Sequence, residues 1–155
     1  MEYLIRPLTA DDEPILQEMV YQGLSSIGEG HAPPREIVHR PEFIHYVEGW
    51  GRAGDNGFVA HDKKDRSVLG AVWLRKPTEK DKGHEPSELG FAVKPGHRGH
   101  GIGSALLTQL VRANPEQSKI SLSLVAGKPV LRLYERFGFK VAEQTADAII
   151  MRREA

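Results

Sequence analysis

The sequence predicts an α/β (α+β) fold in which a mixed central sheet of about six or seven strands is flanked by about four helices. The chain has 155 residues, of which 39% are hydrophobic, so we expect a single domain over 1–155 with a sizeable core. Helical and strand-like periods alternate in the order β-α-α-β-β-β-α-β-α-β-β. Four of the 16 glycines lie within 96–103, between a predicted strand and a predicted helix. These three observations carry the prediction.

The first half of the chain predicts a strand, a capped helix, a loop, a second helix and two hairpin strands. Thr9 and Asp12 have capping-box spacing at the start of the first helix. Gly, Ser and Pro residues then indicate the loop, and aromatic residues at helical spacing indicate the second helix. These elements are expected at 2–6, from Thr9 onward, at 23–34, about 39–50, 58–61 and 67–75.

The second half predicts an exposed loop, a strand, a helix, a further strand, a short helix and two paired strands. Ile102, Leu106 and Leu110 recur every four residues, so the first of these helices should pack on the sheet. Gly138 is expected to end the short helix. The elements are expected at 77–86, 88–94, about 101–113, 119–125, 129–137, 139–143 and 148–152.

Composition excludes several classes of function. Lys and Arg number 21, as do Asp and Glu, so the net charge of zero argues against broad binding to nucleic acid or to an anionic membrane. There is no cysteine, which excludes disulfides, thiolate zinc sites and a cysteine acyl-enzyme. The chain has neither an apolar leader nor an 18-residue apolar run. We therefore expect a cytoplasmic protein with no membrane contact.

The glycine cluster predicts an anion-binding turn. Glycines at 99, 101 and 103 permit positive φ and leave the backbone N–H groups accessible. The first N–H groups of the following helix lack internal partners and lie at its positive end, so a phosphate or diphosphate fits there. Arg98 adds a positively charged donor. The alternative is a glycine-rich turn that binds no ligand.

The spacing does not match the common nucleotide-binding motifs. No Gly-Lys-Ser or Gly-Lys-Thr occurs in the chain, which excludes a Walker A loop. The dinucleotide fingerprint G-x-G-x-x-G is not matched either, because after Gly99 and Gly101 the third glycine comes one position early, at 103. The spacing present is R-x-x-G-x-G.

Two segments resemble the GNAT superfamily of acyl-CoA-dependent N-acetyltransferases. Val93-Lys-Pro-Gly-His-Arg-Gly-His-Gly-Ile-Gly103 is similar to the family's pyrophosphate-binding signature, and 129–139 is similar to its A-x-x-L-Y-x-x-x-G-F helix. The order of elements agrees with that family over nearly the whole chain. Two departures occur: Gly127 stands where many members carry an Asn, and Val130 stands where Ala is usual.

The resemblance implies a GNAT fold and acetyl-CoA as the co-substrate. Strands 88–94 and 119–125 would be parallel and splayed, with the pantetheine arm between them. The implied pantetheine contacts come from the backbone of Phe91, Ala92 and Val93. The implied pyrophosphate site consists of Arg98, Gly99, His100, Gly101, Ile102, Gly103 and Ser104.

The resemblance also implies the reaction, which is direct transfer of an acetyl group to a primary amine of a small molecule or protein. Tyr134 matches the family tyrosine near the CoA sulfur. Because a tyrosine titrates near 10 and a thiol near 8.5, a hydrogen bond to the departing thiolate is easier to justify than full proton transfer. Glu88 is the candidate general base. Weaker candidates for that role are Glu29, His31 and Glu85.

Several features keep alternative interpretations open. His84, His97 and His100 could form a metal triad, but we expect no metal, because a turn that binds phosphate would orient its histidines outward. Phe43, Tyr46 and Trp50 could line an acceptor pocket or simply face the core. A non-catalytic acyl-CoA sensor and a homodimer are both compatible with the sequence.

Overall fold

The computed structural model describes residues 2–25, 34–40, 44, 47–51, 55–75, 87–94, 101–115, 119–123, 127–144 and 148–153. The strands span Tyr3–Pro7 (β1), Asn56–Asp62 (β2), Val68–Arg75 (β3), Ser87–Val93 (β4), Lys119–Ser123 (β5), Lys140–Gln144 (β6) and Ala148–Arg152 (β7). The α-helices span Glu13–Ser25 (α1), Ile102–Ala113 (α2) and Gly127–Arg136 (α3). All seven strands form one sheet in the order β1-β2-β3-β4-β5-β7-β6, which confirms the predicted fold class.

The capping box at the first helix is confirmed. The Thr9 side chain accepts a hydrogen bond from the backbone N–H of Asp11, and the Asp12 carboxylate accepts one from the backbone N–H of Thr9 at 2.7 Å. Ala10–Asp12 form a 3-10 turn before α1. The predicted loop start at residue 23 is wrong, because α1 continues to Ser25. A glycine costs a helix only about 1 kcal/mol, less than α1 gains by burying its apolar face.

The second predicted helix, about 39–50, is described only in part. Arg35–His39 form a 3-10 turn, and the backbone N–H groups of Ile44 and Glu48 then make helical bonds to residues four positions earlier, at 2.9 and 2.8 Å. Three α-helices are therefore described where about four were expected. Among the described residues, no helix has the length and apolar character needed to cross a bilayer.

The sheet is mixed because one pair of neighbouring strands is parallel. β1 to β4 are antiparallel neighbours, β5 pairs antiparallel with β7, and β4 pairs parallel with β5. The parallel register consists of Ser87–Ile120, Glu88–Ser121 and Leu89–Leu122. β4 nevertheless continues to Val93, where it is paired with β3. Beyond Leu89, the described parts of β4 and β5 share no further pairs, and we call this end of their pairing the opening between β4 and β5.

Two apolar clusters cover the two faces of this sheet. We call the face covered by α2 and α3 the α2/α3 face, and the opposite one the α1 face. Side chains alternate between faces along each strand, so Leu74 and Leu89 join the α2/α3 cluster while Trp73 and Ala92 join the α1 cluster. A residue of β3 or β4 can therefore be assigned to a face by its register.

Candidate active site

The glycine turn leads into α2 through a left-handed residue. Gly101 is the N-cap of α2, with a φ of 79° and a ψ of 0°. A Cβ built at Gly101 meets no heavy atom within 4 Å, so the backbone is open to an approaching ligand there. The first N–H groups of α2, which include those of Ile102 and Gly103, have no partner within the helix. This end of α2 fits a phosphate group.

Gly103 serves packing rather than access. A Cβ at this position would lie 2.8 Å from Cζ of Phe91, on β4 beneath the start of α2. The side chain of Ile102 is buried in the α2/α3 cluster, whereas Ser104 is exposed. Glycine is thus favoured at 101 by the left-handed backbone and at 103 by close packing against Phe91. Three predicted members of this site, Arg98, Gly99 and His100, lie outside the described residues.

The end of β4 pairs with β3 along one of its edges. Phe91, Ala92 and Val93 pair with Val72, Ala71 and Gly70 of β3, and their side chains are half-buried or buried on the two faces. Their other edge faces the side of β5, with which the described residues form no pair beyond Leu89. A ligand that carries amide groups would form hydrogen bonds with the backbone along that edge.

Glu88 lies where β4 and β5 are about to diverge. It pairs in register with Ser121 of β5 and with Arg75 of β3, one residue before the parallel pairing ends. It shares the α1 face with Gly90 and is half-buried. The indole of Trp73 lies against Gly90, where a Cβ would be 2.1 Å from Cε2 of that ring. Trp73 thus leaves no room for a side chain at position 90.

A buried ion pair lies on the same face, and the sequence did not predict it. Nε and Nη2 of Arg75 donate to the Asp55 carboxylate at 3.2 and 3.0 Å, and the two side chains are 4% and 1% exposed. The guanidinium carbon of Arg75 lies 5.7 Å from the centre of the Trp50 ring. The available signal was an arginine that ends the apolar strand segment 68–74, since a charge there is buried only when it is paired.

Tyr134 lies on the α2/α3 face and is 2% exposed. Its ring meets that of Phe139 edge to face, with 5.1 Å between centroids. Burial raises the pKa of Tyr134 well above its ordinary value, and the charge of Arg153 only partly opposes this. No group in the described part of the chain forms a hydrogen bond with its hydroxyl. Tyr134 and Glu88 therefore lie on opposite faces of the sheet.

The remaining candidates are placed only in part. Trp50 is buried in the α1 cluster with Val47, which agrees with the core-facing alternative for that aromatic stripe. Within the described ranges, no group of three acidic or histidine side chains is arranged to bind a metal. The other candidates lie outside the described residues: Glu29, His31, Phe43, Tyr46, His84, Glu85 and His97.

Comparison with known proteins identifies the family. Residues 24–139 match the family described as the acetyltransferase (GNAT) family. Because this match covers most of the chain, the protein belongs to the GNAT acetyltransferase family. None of the curated proteins matches the chain.

Solved structures share the fold at low sequence identity. The chain is 20% identical to a GCN5-related N-acetyltransferase from Kribbella flavida, over 99% of this chain and 98% of that one, with a TM-score of 0.64. The PaiA N-acetyltransferase from Thermoplasma acidophilum, solved with coenzyme A, is 19% identical over 100% of both chains, with a TM-score of 0.63. YncA from Salmonella typhimurium, solved with its cofactor acetyl-CoA, is 16% identical over 100% of this chain and 96% of that one, with a TM-score of 0.67.

Proposed function

We propose that the chain, as a single domain over 1–155, transfers an acetyl group from acetyl-CoA directly to a primary amine of a small molecule or protein. The observation that carries this proposal is the end of the parallel pairing of β4 with β5 at Leu89, on the strand that precedes the open N-terminus of α2 at Gly101 in the chain. Membership of the GNAT family supports it. So do the structurally similar PaiA and YncA, whose structures contain coenzyme A and acetyl-CoA.

The described residues fit a CoA molecule at two points. The open backbone at Gly101 and the first N–H groups of α2 would hold the pyrophosphate, with Arg98, Gly99 and His100 completing that site. The edge of β4 at 91–93 that faces the side of β5 would hold the pantetheine amides. Acetyl-CoA supplies the activated thioester. The chain supplies the binding surface, the base Glu88 and the hydrogen-bond donor Tyr134.

Glu88 and Tyr134 would act from opposite faces of the sheet. The Glu88 carboxylate accepts the proton that the ammonium form of the acceptor must lose before its nitrogen can bond to the acyl carbon. When the carbon–sulfur bond breaks, the Tyr134 hydroxyl donates a hydrogen bond to the departing thiolate, and the second proton that the nitrogen loses passes to solvent. Because burial raises the pKa of Tyr134, we propose that it keeps its proton and stabilises the thiolate by hydrogen bonding alone.

Turnover with a defined panel of amines tests the reaction. Thiol release from acetyl-CoA is followed with spermidine, lysine, glutamate and a peptide with an N-terminal alanine, and the melting temperature is measured with CoA, ATP and NAD. We expect saturable thiol release with at least one amine and stabilisation by CoA alone. Stabilisation by ATP or NAD but not by CoA would contradict the proposal.

A second candidate is a non-catalytic acyl-CoA sensor. The observation that favours it is the enclosure of the Tyr134 hydroxyl within the core, since a group that acts on a thiolate must reach the ligand. CoA-dependent stabilisation without thiol release across the panel would support the sensor and reject the transferase.

Matched glycine substitutions test the pyrophosphate site. Gly101 and Gly49 both have positive φ, 79° and 65°, and a Cβ at either meets nothing within 4 Å. Replacing either by Leu therefore imposes a similar backbone strain. We expect Gly101→Leu to raise the Kd for CoA by about tenfold or more, the loss of a hydrogen bond to a charged group. Gly49→Leu should leave it unchanged, and equal effects would reject the assignment.

A further inference from the structure

A row of positively charged side chains crosses β5, β7 and β6 on the α1 face. Arg152 of β7 lies directly opposite Lys119 of β5 on one side and Lys140 of β6 on the other. The next residues along β5 and β7, Ile120 and Met151, are buried in the α2/α3 cluster. Because side chains alternate between the two faces, the three cations share the α1 face. We call them the cation row.

The cation row lies on a part of the sheet that the α1 cluster does not cover. In the described part of the chain, that cluster contains strand residues of β2, β3 and β4 and none of β5, β6 or β7. Arg152 and Lys140 are exposed, and Lys119 is half-buried. The side chains of Arg152 and Lys140 form no ion pair or hydrogen bond with a described residue. Two long cationic side chains are thus presented to solvent side by side.

The fold gives no reason for these neighbouring charges. Like charges that lie directly opposite each other on neighbouring strands repel and destabilise the pair. A lysine on the edge strand β6 can discourage the edge-to-edge pairing of sheets, which would explain Lys140. Arg152 lies on β7, which is paired on both sides, so edge protection does not explain its charge. A partner of opposite charge does.

The next row of residues toward the opening indicates what kind of partner fits. It contains Ser121, Ile150 and Glu143 in register, with Glu88 of β4 opposite Ser121. Ile150 is half-buried and belongs to neither apolar cluster, so an apolar side chain lies beside the cation row. Glu88 and Glu143, at the two ends of this second row, would repel a long polyanion that extended beyond the cation row.

We propose that the cation row binds a short acidic peptide segment of a partner protein, with an apolar side chain of that segment against Ile150. Carboxylates of the segment accept charge-assisted hydrogen bonds from Arg152 and Lys140. The zero net charge of the chain favours such a local contact over broad binding to nucleic acid or membrane. The row lies at the start of β5, away from the opening, and the proposal does not depend on the proposed function.

Binding of a blocked peptide tests this proposal without any turnover. The probe is the peptide Glu-Glu-Leu-Glu-Glu with fluorescein on its N-terminus and an amidated C-terminus, so it has no amine that could be acetylated. Fluorescence anisotropy with the full chain should show saturable binding that weakens about tenfold or more between about 50 and 500 mM NaCl. The same labelled peptide with Gln in place of every Glu should not bind. Absence of saturable binding, or equal binding of the Gln peptide, would overturn the proposal.

Matched charge variants test the location of the site. Arg152→Gln and Lys140→Gln should each raise the Kd for the acidic peptide by about two- to fivefold, the contribution of one exposed ion pair. Glu143→Gln should lower it by about twofold, because a repelling charge is removed. The control is Arg132→Gln with Arg136→Gln, at two exposed arginines of α3, which should leave the Kd unchanged. An equal increase in this control would overturn the proposal.

Polyanions test the other possible occupants. A fluorescein-labelled oligouridine RNA and vesicles of phosphatidylcholine with phosphatidylserine are titrated in the same buffer, against wild type and against Arg152→Gln with Lys140→Gln. We expect both to bind wild type at least about tenfold more weakly than the peptide does, at equal concentration of negative charge. Tighter binding of either polyanion, lost in the double variant, would overturn the assignment to a peptide.

A purely structural role of the cation row predicts a different result. Arg152→Gln would then be less stable than wild type in urea unfolding and would bind the peptide unchanged, which would overturn the proposal. We expect instead that its unfolding equilibrium constant is equal to that of wild type or up to about fivefold lower, because the repulsion from Lys140 is removed. Circular dichroism confirms that each variant is folded before its Kd is compared.

Discussion

The two faces of the sheet are built by different means. On the α2/α3 face, α2 buries Ile102, Leu106 and Leu110 against apolar strand residues, and Tyr134 carries a hydroxyl with no described partner. The α1 face also has an apolar cluster, but ion pairs are set into it, Arg75 with Asp55 and Arg6 with Asp12. Glu88 points to this second face.

The two faces of the sheet would therefore have different tasks in the proposed reaction. On the proposed cofactor side, specificity comes from backbone geometry at Gly101 and from apolar packing, neither of which depends on pH. On the α1 side, where we propose that the amine approaches, fixed charges surround a group that must exchange a proton. Substitutions on the α1 face should therefore disturb shape and charge together, whereas those on the α2/α3 face should disturb packing alone.

The largest loss of stability is expected from a substitution that disrupts the close packing of the α1 face. In Gly90→Ala, the new methyl group would lie 2.1 to 2.5 Å from three atoms of the buried Trp73 indole. Overpacking of this severity should cost about 3 kcal/mol of unfolding free energy, measured by urea denaturation.

The matched control is Gly103→Ala on the other face. There the new methyl group would lie 2.8 Å from Cζ and 3.4 Å from Cε2 of the half-buried Phe91 and 3.5 Å from Cγ2 of Val93, and alanine favours the helix. The change should stay within about 1 kcal/mol. Equal costs at the two glycines would remove the distinction between the faces.

An intermediate effect is expected on the stability of the protein at acidic pH. Hydrogen bonds from Arg6 lower the pKa of Asp12 to about 2 from 3.8, supported by the backbone N–H of Thr9 and opposed by burial. Because the folded pKa lies below the unfolded value, this contribution is present above about pH 4 and is lost as the pH falls toward 2. Asp12→Asn should cost about 1–2 kcal/mol at neutral pH, given that Arg6 is partly exposed to solvent.

Urea denaturation between pH 7 and pH 2 measures this contribution. The stability of Asp12→Asn should fall less steeply below pH 4 than that of wild type. Asp11→Asn, at an exposed neighbouring acid, should keep the wild-type slope. An Asp12→Asn variant with that same slope would show that the acid sensitivity arises elsewhere.

The smallest effect on stability is expected at Tyr134. Because its buried hydroxyl has no described hydrogen-bond partner, Tyr134→Phe should change the unfolding free energy by less than about 1 kcal/mol. The kcat with the fastest amine of the panel should nevertheless fall by about tenfold or more. Tyr3→Phe, at a half-buried ring against the same cluster, should alter neither quantity. Full turnover in Tyr134→Phe would leave the residue with a packing role alone.

Local patterns predicted most of the fold. The capping box at Thr9, the start of α2 after Gly101 and the strand that contains Glu88 all follow from residue types at short spacing, and each is observed. The resemblance to the family also predicted that β4 and β5 are parallel neighbours, which no local pattern indicates. The loop start expected at residue 23 was wrong because tertiary packing of α1 outweighs the weak preference of glycine against helix.

The contacts beside Glu88 could not be predicted in this way. Trp73 and Gly90 are 17 positions apart in the sequence, and Arg75 and Asp55 are 20 positions apart. Each pair meets only because particular strands are neighbours in a particular register. A single sequence gives the periodicity of a strand but not its partner, so the charged part of the site became visible only in the structure.

The short parallel register has a consequence for cooperativity. Among the described residues, three pairs join β4 to β5, whereas six join β3 to β4 and five join β5 to β7. The sheet therefore consists of a four-stranded part, β1 to β4, and a three-stranded part, β5 to β7, which are joined by few residue pairs. A molecule bound in the opening would contact both parts and couple their unfolding. Ligand binding should then sharpen the unfolding transition as well as raise its midpoint.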